Sequence, residues 1–140
     1  MRFEYTLYNG NWLPLVPVVF MHGKRRLPPI KALVDTGATH TILPLELTAE
    51  LGIDINLDDP LESQIAGGGR CFIYAPNSPL GYLIRNPATP VEYRWTGQVF
   101  FALEQEFVLL GHHQCLEKFD VTFHGPERML EVTARFRKRS

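Results

Sequence analysis

The sequence predicts an all-β fold built from many short strands and one or two short helices. Apolar residues recur mostly with a period of two, which is typical of half-buried strands, and glycine, proline and asparagine separate the apolar runs at short intervals. The 140 residues, 45% of them hydrophobic and 21% charged, are enough to bury a core. We therefore expect residues 1–140 to form a single domain.

The N-terminal third of the chain predicts four strands. Residues 3–8 alternate between apolar and more polar side chains, and Asn9-Gly10-Asn11 marks a turn before a second strand at 15–21. A short apolar strand follows at 30–34, and extended character resumes at 41–43.

One helix is predicted to begin at Pro44, since proline suits the first helical position, and to end at Gly52. A second short helix is predicted within residues 112–118. Further strands are predicted at 61–66, 70–75, 81–85, 91–96, 99–103, 107–110, 119–123 and 129–133.

Composition and charge argue against several classes of function. The net charge of -1 and the pI near 6.5 do not suit a nucleic-acid binder, which is usually strongly basic. The most apolar run, 12–21, contains two prolines and is shorter than the about 20 residues of a spanning helix. The first residues lack the apolar segment of a signal peptide, and Cys71 and Cys115 form no CxxC pair. We therefore expect a cytoplasmic protein with no nucleic-acid partner and no membrane partner.

The most informative motif follows the predicted strand at 30–34. Asp35 begins a tight turn, Thr36 adds a hydroxyl group, Gly37 gives backbone freedom, and Ala38 leaves space beside the carboxylate. Asp and Gly are also ordinary in any turn after a strand, so the motif alone does not decide between a site and a structural turn.

Three segments together resemble the retropepsin-like aspartic proteases, in that family's order. Residues 33–38 resemble the active-site loop, 65–69 with the following strand 70–74 resemble the glycine-rich flap, and 108–111 resemble the apolar strand beside the loop. The resemblance covers roughly residues 14–132, and the hairpin at 119–125 is typical of bacterial members.

The resemblance implies a retropepsin-like closed β-barrel half, the acid protease fold, and the activity of an aspartic endopeptidase without a cofactor. Asp35 would be the catalytic residue, with a peptide or protein as its substrate. The other implied site residues are the loop supports Thr36, Gly37 and Ala38, the flap and substrate-binding residues Ala66, Gly67, Gly68 and Gly69, and the structural residues Leu109, Leu110 and Gly111 beside the site.

Hydrolysis without a covalent intermediate needs a base that activates water and an acid that protonates the product. Two adjacent carboxylates can divide these roles, because neighbouring like charges do not both ionise easily. The chain has one Asp-Thr-Gly, and none of its other aspartates is followed by Thr-Gly or Ser-Gly. An enzyme of this kind therefore requires a homodimer that brings two copies of Asp35 together. The alternative is a non-catalytic peptide-binding or dimerisation module with the same fold.

Two features depart from retroviral members of the family. Their late glycine is commonly followed by Arg and then Asn or Asp, whereas Gly111 is followed by His112 and His113. The proline-rich segment 77–90 lengthens the region after the flap. Histidine and cysteine are metal-ligating residues, but their spacing here fits no known site, so no metal is expected.

The flap interpretation predicts that Gly68→Val impairs turnover more than folding. A β-branched side chain would stiffen the tip of the hairpin and crowd the path of the substrate. Steady-state kinetics on a large substrate, with thermal unfolding as the control for folding, measure both effects. Full activity of the variant would contradict the assignment of 67–69 as the lid.

Overall fold

The computed structural model describes residues 1–64 and 69–136. Over these residues the chain is mostly β-strand, with one short α-helix and one 3₁₀-helix, which confirms the all-β class. The strands are β1 Arg2–Glu4, β2 Thr6–Tyr8, β3 Asn11–Leu13, β4 Leu15–His22, β5 Arg25–Arg26, β6 Ile30–Val34, β7 Ile42–Pro44, β8 Leu61–Gln64, β9 Arg70–Tyr74, β10 Leu80–Arg85, β11 Glu92–Gly97, β12 Phe100–Ala102, β13 Val108–Leu110, β14 Phe119–His124 and β15 Met129–Ala134. The helix α1 spans Leu47–Leu51, and the 3₁₀-helix spans Leu116–Lys118.

One large sheet contains most of these strands. Its order is β11-β10-β4-β6-β13-β7-β12-β9-β8, with β5 paired to β4. A three-stranded sheet of order β1-β15-β14 and a two-stranded hairpin of β2 and β3 complete the strand arrangement. No ladder among the described residues joins β11 to β8, so the closed form of the barrel remains a prediction.

At the centre of the large sheet, strand β13 lies between β6 and β7, and this order determines where the loop 35–41 lies. Strand β13 pairs in parallel with β6 and antiparallel with β7. The chain therefore leaves β6, loops through residues 35–41, and returns as β7 on the other side of β13. Because parallel neighbours cannot be joined by a tight hairpin, β13 has to come from a distant part of the sequence.

The core is formed by residues of the large sheet together with residues of the three-stranded sheet. Its largest fully buried side chains include Phe20, Leu43, Tyr82, Phe101 and Leu130. Tyr82 stacks on Trp95 with ring centroids 4.7 Å apart, and its hydroxyl donates a hydrogen bond to the carbonyl of Gln98. The aromatic residues of 93–101 thus contribute to packing.

Two predicted elements differ from the structure. Pro44 is not the first residue of the helix but the last of β7, opposite Ala102, and the helix begins three residues later at Leu47. The predicted strand 3–8 is two strands with different partners, since β1 pairs with β15 and β2 pairs with β3. The prediction that Gly52 ends the helix is confirmed by its left-handed conformation, with φ 64°.

No helix within the described part of the chain combines the length and the apolar character needed to cross a membrane.

Leu43→Ala should lower the free energy of unfolding by about 2–5 kcal/mol, because Leu43 is fully buried in β7 and its truncation leaves a cavity. Leu103→Ala is the matched control: this side chain is 60% exposed, so the loss should stay within about 0.5 kcal/mol. Urea unfolding at one fixed protein concentration measures both variants. Equal losses would contradict the position of β7 in the core.

Candidate active site

The Asp35 loop begins where β6 ends, and backbone hydrogen bonds fix its start. The amide of Asp35 donates to the carbonyl of Leu110 at 3.1 Å, which continues the β6–β13 ladder by one residue. The amide of Ala38 then donates to the carbonyl of Asp35 at 3.1 Å and closes a tight turn. Inside this turn the amide of Gly37 donates to Oδ1 of Asp35 at 3.0 Å. The carboxylate is therefore oriented by its own loop.

The far end of the loop is held by buried contacts. Thr41 is 1% exposed, and its Oγ1 accepts a hydrogen bond from the amide of Gly111 at 3.2 Å. A Cβ at Gly111 would overlap the carbonyl group of His40, so only glycine fits where the two chain segments cross. This contact explains why a glycine follows the apolar strand β13.

The residues after Gly111 bind the middle of the loop. The amide of His112 donates to the carbonyl of Ala38 at 3.0 Å, and the amide of His113 donates to that of Thr39 at 2.8 Å. Nε2 of His112 lies 2.6 Å from the carbonyl oxygen of Thr36, and since a carbonyl can only accept, this nitrogen carries the proton. Two histidines whose role the sequence left open thus contact the predicted active-site loop directly.

A cleft of about 660 Å³ lies over the loop. Four of the lining residues belong to the predicted site, and the others come from the loop, β7, β8 and β9. The lining residues are Asp35, Gly37, Ala38, Thr39, His40, Ile42, Glu62, Ser63, Cys71 and Leu109. Asp35 is partly buried, whereas Thr36 and Gly37 are exposed. The carboxylate is therefore accessible to water and to a ligand in this cleft.

His40 gives the cleft an imidazole that the sequence analysis did not identify as a site residue. Burial lowers the pKa of His40, and nearby His113 lowers it further. The His40 ring packs against Phe100 at a centroid distance of 4.7 Å, and its Nδ1 is buried without a hydrogen-bond partner among the described residues. Because a lowered pKa favours the neutral form of a histidine, His40 stays uncharged at pH values where an exposed histidine is partly protonated.

Part of the predicted flap (residues 66–69) lies within the described residues. Ala66, Gly67 and Gly68 lie outside the described residues, whereas Gly69 is partly buried next to β9. Strands β8 and β9 form the antiparallel hairpin expected on either side of these residues, with Ser63 opposite Cys71. Glu62, Ser63 and Cys71 of these strands line the same cleft as Asp35, and the assignment of residues 66–69 as a flap stays a prediction.

The two cysteines differ in their surroundings. Burial raises the pKa of the Cys115 thiol to about 12, so this thiol stays protonated at neutral pH. Cys71 is a free, partly buried cysteine in the cleft. Within residues 1–64 and 69–136, no three histidine, cysteine or carboxylate side chains group closely enough to hold a metal ion.

The carboxylate of Asp35 therefore lines a cleft and is held by a tight turn between the central strands β6 and β7. The family model described as aspartyl protease matches residues 17–72, which include Asp35, β8 and part of β9. This match confirms the resemblance to aspartic proteases over that part of the chain.

Among solved structures, the chain is similar to EIAV protease complexed with the inhibitor HBY-793, with a TM-score of 0.43 and 18% identity. The similarity covers 76% of this chain and 88% of that chain. A likeness of this degree does not identify a function. No match was found among curated proteins.

Gly111→Ala should destabilise the protein by about 1–3 kcal/mol or more, since the new Cβ would overlap the His40 backbone, which cannot rotate away. Gly125→Ala is the matched control, because a Cβ there meets no atom within 4 Å. Urea unfolding measures the free energy of unfolding of both variants. If Gly111→Ala is as stable as Gly125→Ala, the close approach of the His40 backbone to Gly111 would be contradicted.

Proposed function

We propose that this protein is an aspartic endopeptidase whose active site contains two Asp35 carboxylates, one from each subunit of a homodimer. The observation that carries the proposal is the Asp35 loop: an oriented, water-accessible carboxylate that lines a cleft of about 660 Å³. The family match at residues 17–72 supports the same chemistry. An extended segment of a peptide or protein is the proposed substrate.

The proposed mechanism uses the pair as acid and base. Two carboxylates held close together share one proton, because their mutual repulsion opposes ionisation of both. The ionised member takes a proton from the attacking water as it adds to the scissile carbonyl. The protonated member then donates its proton as the peptide bond breaks, so the chain needs no cofactor for this step.

Glu62 is the one other carboxylate among the residues that line the cleft, so it has to be considered as a partner within the same chain. Its Oε1 accepts a hydrogen bond from Nη1 of Arg70 at 3.1 Å. Glu62 is exposed and paired with Arg70, and no hydrogen bond joins Glu62 to Asp35 in the described part of the chain. We therefore assign the second carboxylate to another copy of Asp35.

A subunit-mixing experiment tests this assignment. Asp35→Asn keeps nearly the same shape but removes the carboxylate, so the variant should fold and pair without turnover. When wild-type and variant chains exchange freely, a mixed dimer has one carboxylate and should be almost inactive. Activity should fall as the square of the wild-type fraction, leaving roughly a quarter at an equal mixture. Peptidase assays after confirmed subunit exchange measure this dependence.

Glu62→Gln provides the matched control in the same cleft. If the proposal holds, Glu62→Gln retains turnover, and mixing it with wild-type chains does not produce the quadratic loss. A linear loss on mixing Asp35→Asn, with about half of the activity left at an equal mixture, would show that each chain works alone. Absence of turnover in a wild-type dimer that still binds a peptide-like inhibitor would instead favour a non-catalytic binding module.

A further inference from the structure

The peptide between Thr36 and Gly37 is bonded at both of its ends to side chains. Its N–H, which belongs to Gly37, donates to Oδ1 of Asp35 at 3.0 Å. Its carbonyl, which belongs to Thr36, accepts from Nε2 of His112 at 2.6 Å. Because a peptide unit is planar and rigid, rotation of this unit would move both hydrogen-bonding groups together. The orientation of the Asp35 carboxylate is thereby linked to His112.

The turn itself does not use the Thr36 carbonyl. The hydrogen bond that closes the turn runs from the amide of Ala38 to the carbonyl of Asp35. The carbonyl of the central peptide is therefore free to accept a hydrogen bond from elsewhere, and His112 donates one from 76 residues away in the sequence. The backbone of His112 is anchored to the same loop through its amide, which donates to Ala38.

We propose that His112 is a positioning residue, which holds the Asp35 carboxylate in its working orientation through the Thr36–Gly37 peptide. The imidazole N–H also polarises the peptide it binds, which strengthens the hydrogen bond from Gly37 to the carboxylate. The catalytic consequence rests on the proposed function, but the bracing of the loop does not.

The exposure of His112 separates this role from a role in folding. Its side chain is exposed, whereas the neighbouring Gly111 and the strand residue Leu110 are buried. An exposed side chain that makes one hydrogen bond contributes little to the core. Its removal should therefore change the geometry of the loop more than the stability of the fold.

The test compares His112→Leu, which lacks a donor, with His112→Gln, whose side-chain amide nitrogen can reach a position similar to that of Nε2. In His112→Leu, kcat should fall by about 10- to 100-fold with little change in KM, since the loss is one of orientation. His112→Gln should recover most of kcat. His124→Gln is the control, because His124 Nε2 contacts Glu131 in the C-terminal hairpin, away from the loop.

A second readout does not depend on turnover. Amide hydrogen exchange at Gly37 should be about 2- to 10-fold faster in His112→Leu and should return towards the wild-type rate in His112→Gln. Exchange at the buried Leu130 serves as the internal reference and should be unchanged.

Three outcomes would overturn the inference. The first is that His112→Leu keeps both the wild-type kcat and the wild-type rate of hydrogen exchange at Gly37. The second is that His112→Leu and His112→Gln are equally impaired. The third is that a weaker dimer, measured by sedimentation, explains the whole defect. Lack of turnover in the wild-type protein would reject the proposed function alone, since the exchange measurement would still decide whether His112 braces the loop.

Discussion

The crossing of residue 40 over residue 111 is the constraint on which the rest of the site depends. The His40 backbone occupies the space that a Cβ at position 111 would fill, so the two segments can approach only because position 111 is glycine. This approach lets the Gly111 amide reach the buried Thr41 hydroxyl. It also allows β13 to lie between β6 and β7, the two strands that enclose the Asp35 loop.

The Asp35 loop is held firmly at its base and less firmly at its tip. This difference suits a site that binds a ligand. Thr41, Leu110 and Gly111 are buried and form the base, whereas Thr36 and Gly37 are exposed at the tip. Buried hydrogen bonds are costly to break because the separated groups are not rehydrated. The base therefore resists movement, and the exposed tip leaves the carboxylate accessible in the cleft.

Much of the fold could be predicted from local pattern, because strand periodicity and turn residues act over short distances. The strand at 30–34 was predicted with its observed bounds, since its apolar run stops at the Asp-Thr-Gly turn. Pro44 was assigned to the helix because local preference allows it there. The actual position depends on parallel pairing with β12, which a local pattern cannot indicate.

The same limit applies to the site. Asp35 and its loop were predictable from a contiguous motif, and Gly111 from the resemblance of a short segment. The contact between His112 and Thr36 was not predictable, because only the return of β13 beside β6 brings these residues together. His40 was missed for a related reason: it lies outside the motif, and its packing against Phe100 depends on a distant strand.

The contacts around His112 also bear on how the proposed dimer would be assembled. Hydrogen bonds made within one chain orient Asp35 and its loop, and they include those from Gly37, from Ala38 and from the segment that follows β13. Each chain can therefore orient its own carboxylate before it meets a second copy. In the proposed enzyme, the second copy then contributes the missing carboxylate and the shared proton, while the geometry of the loop is already present. Such preorganisation reduces the conformational entropy lost on association, because the loop does not have to become ordered at the interface.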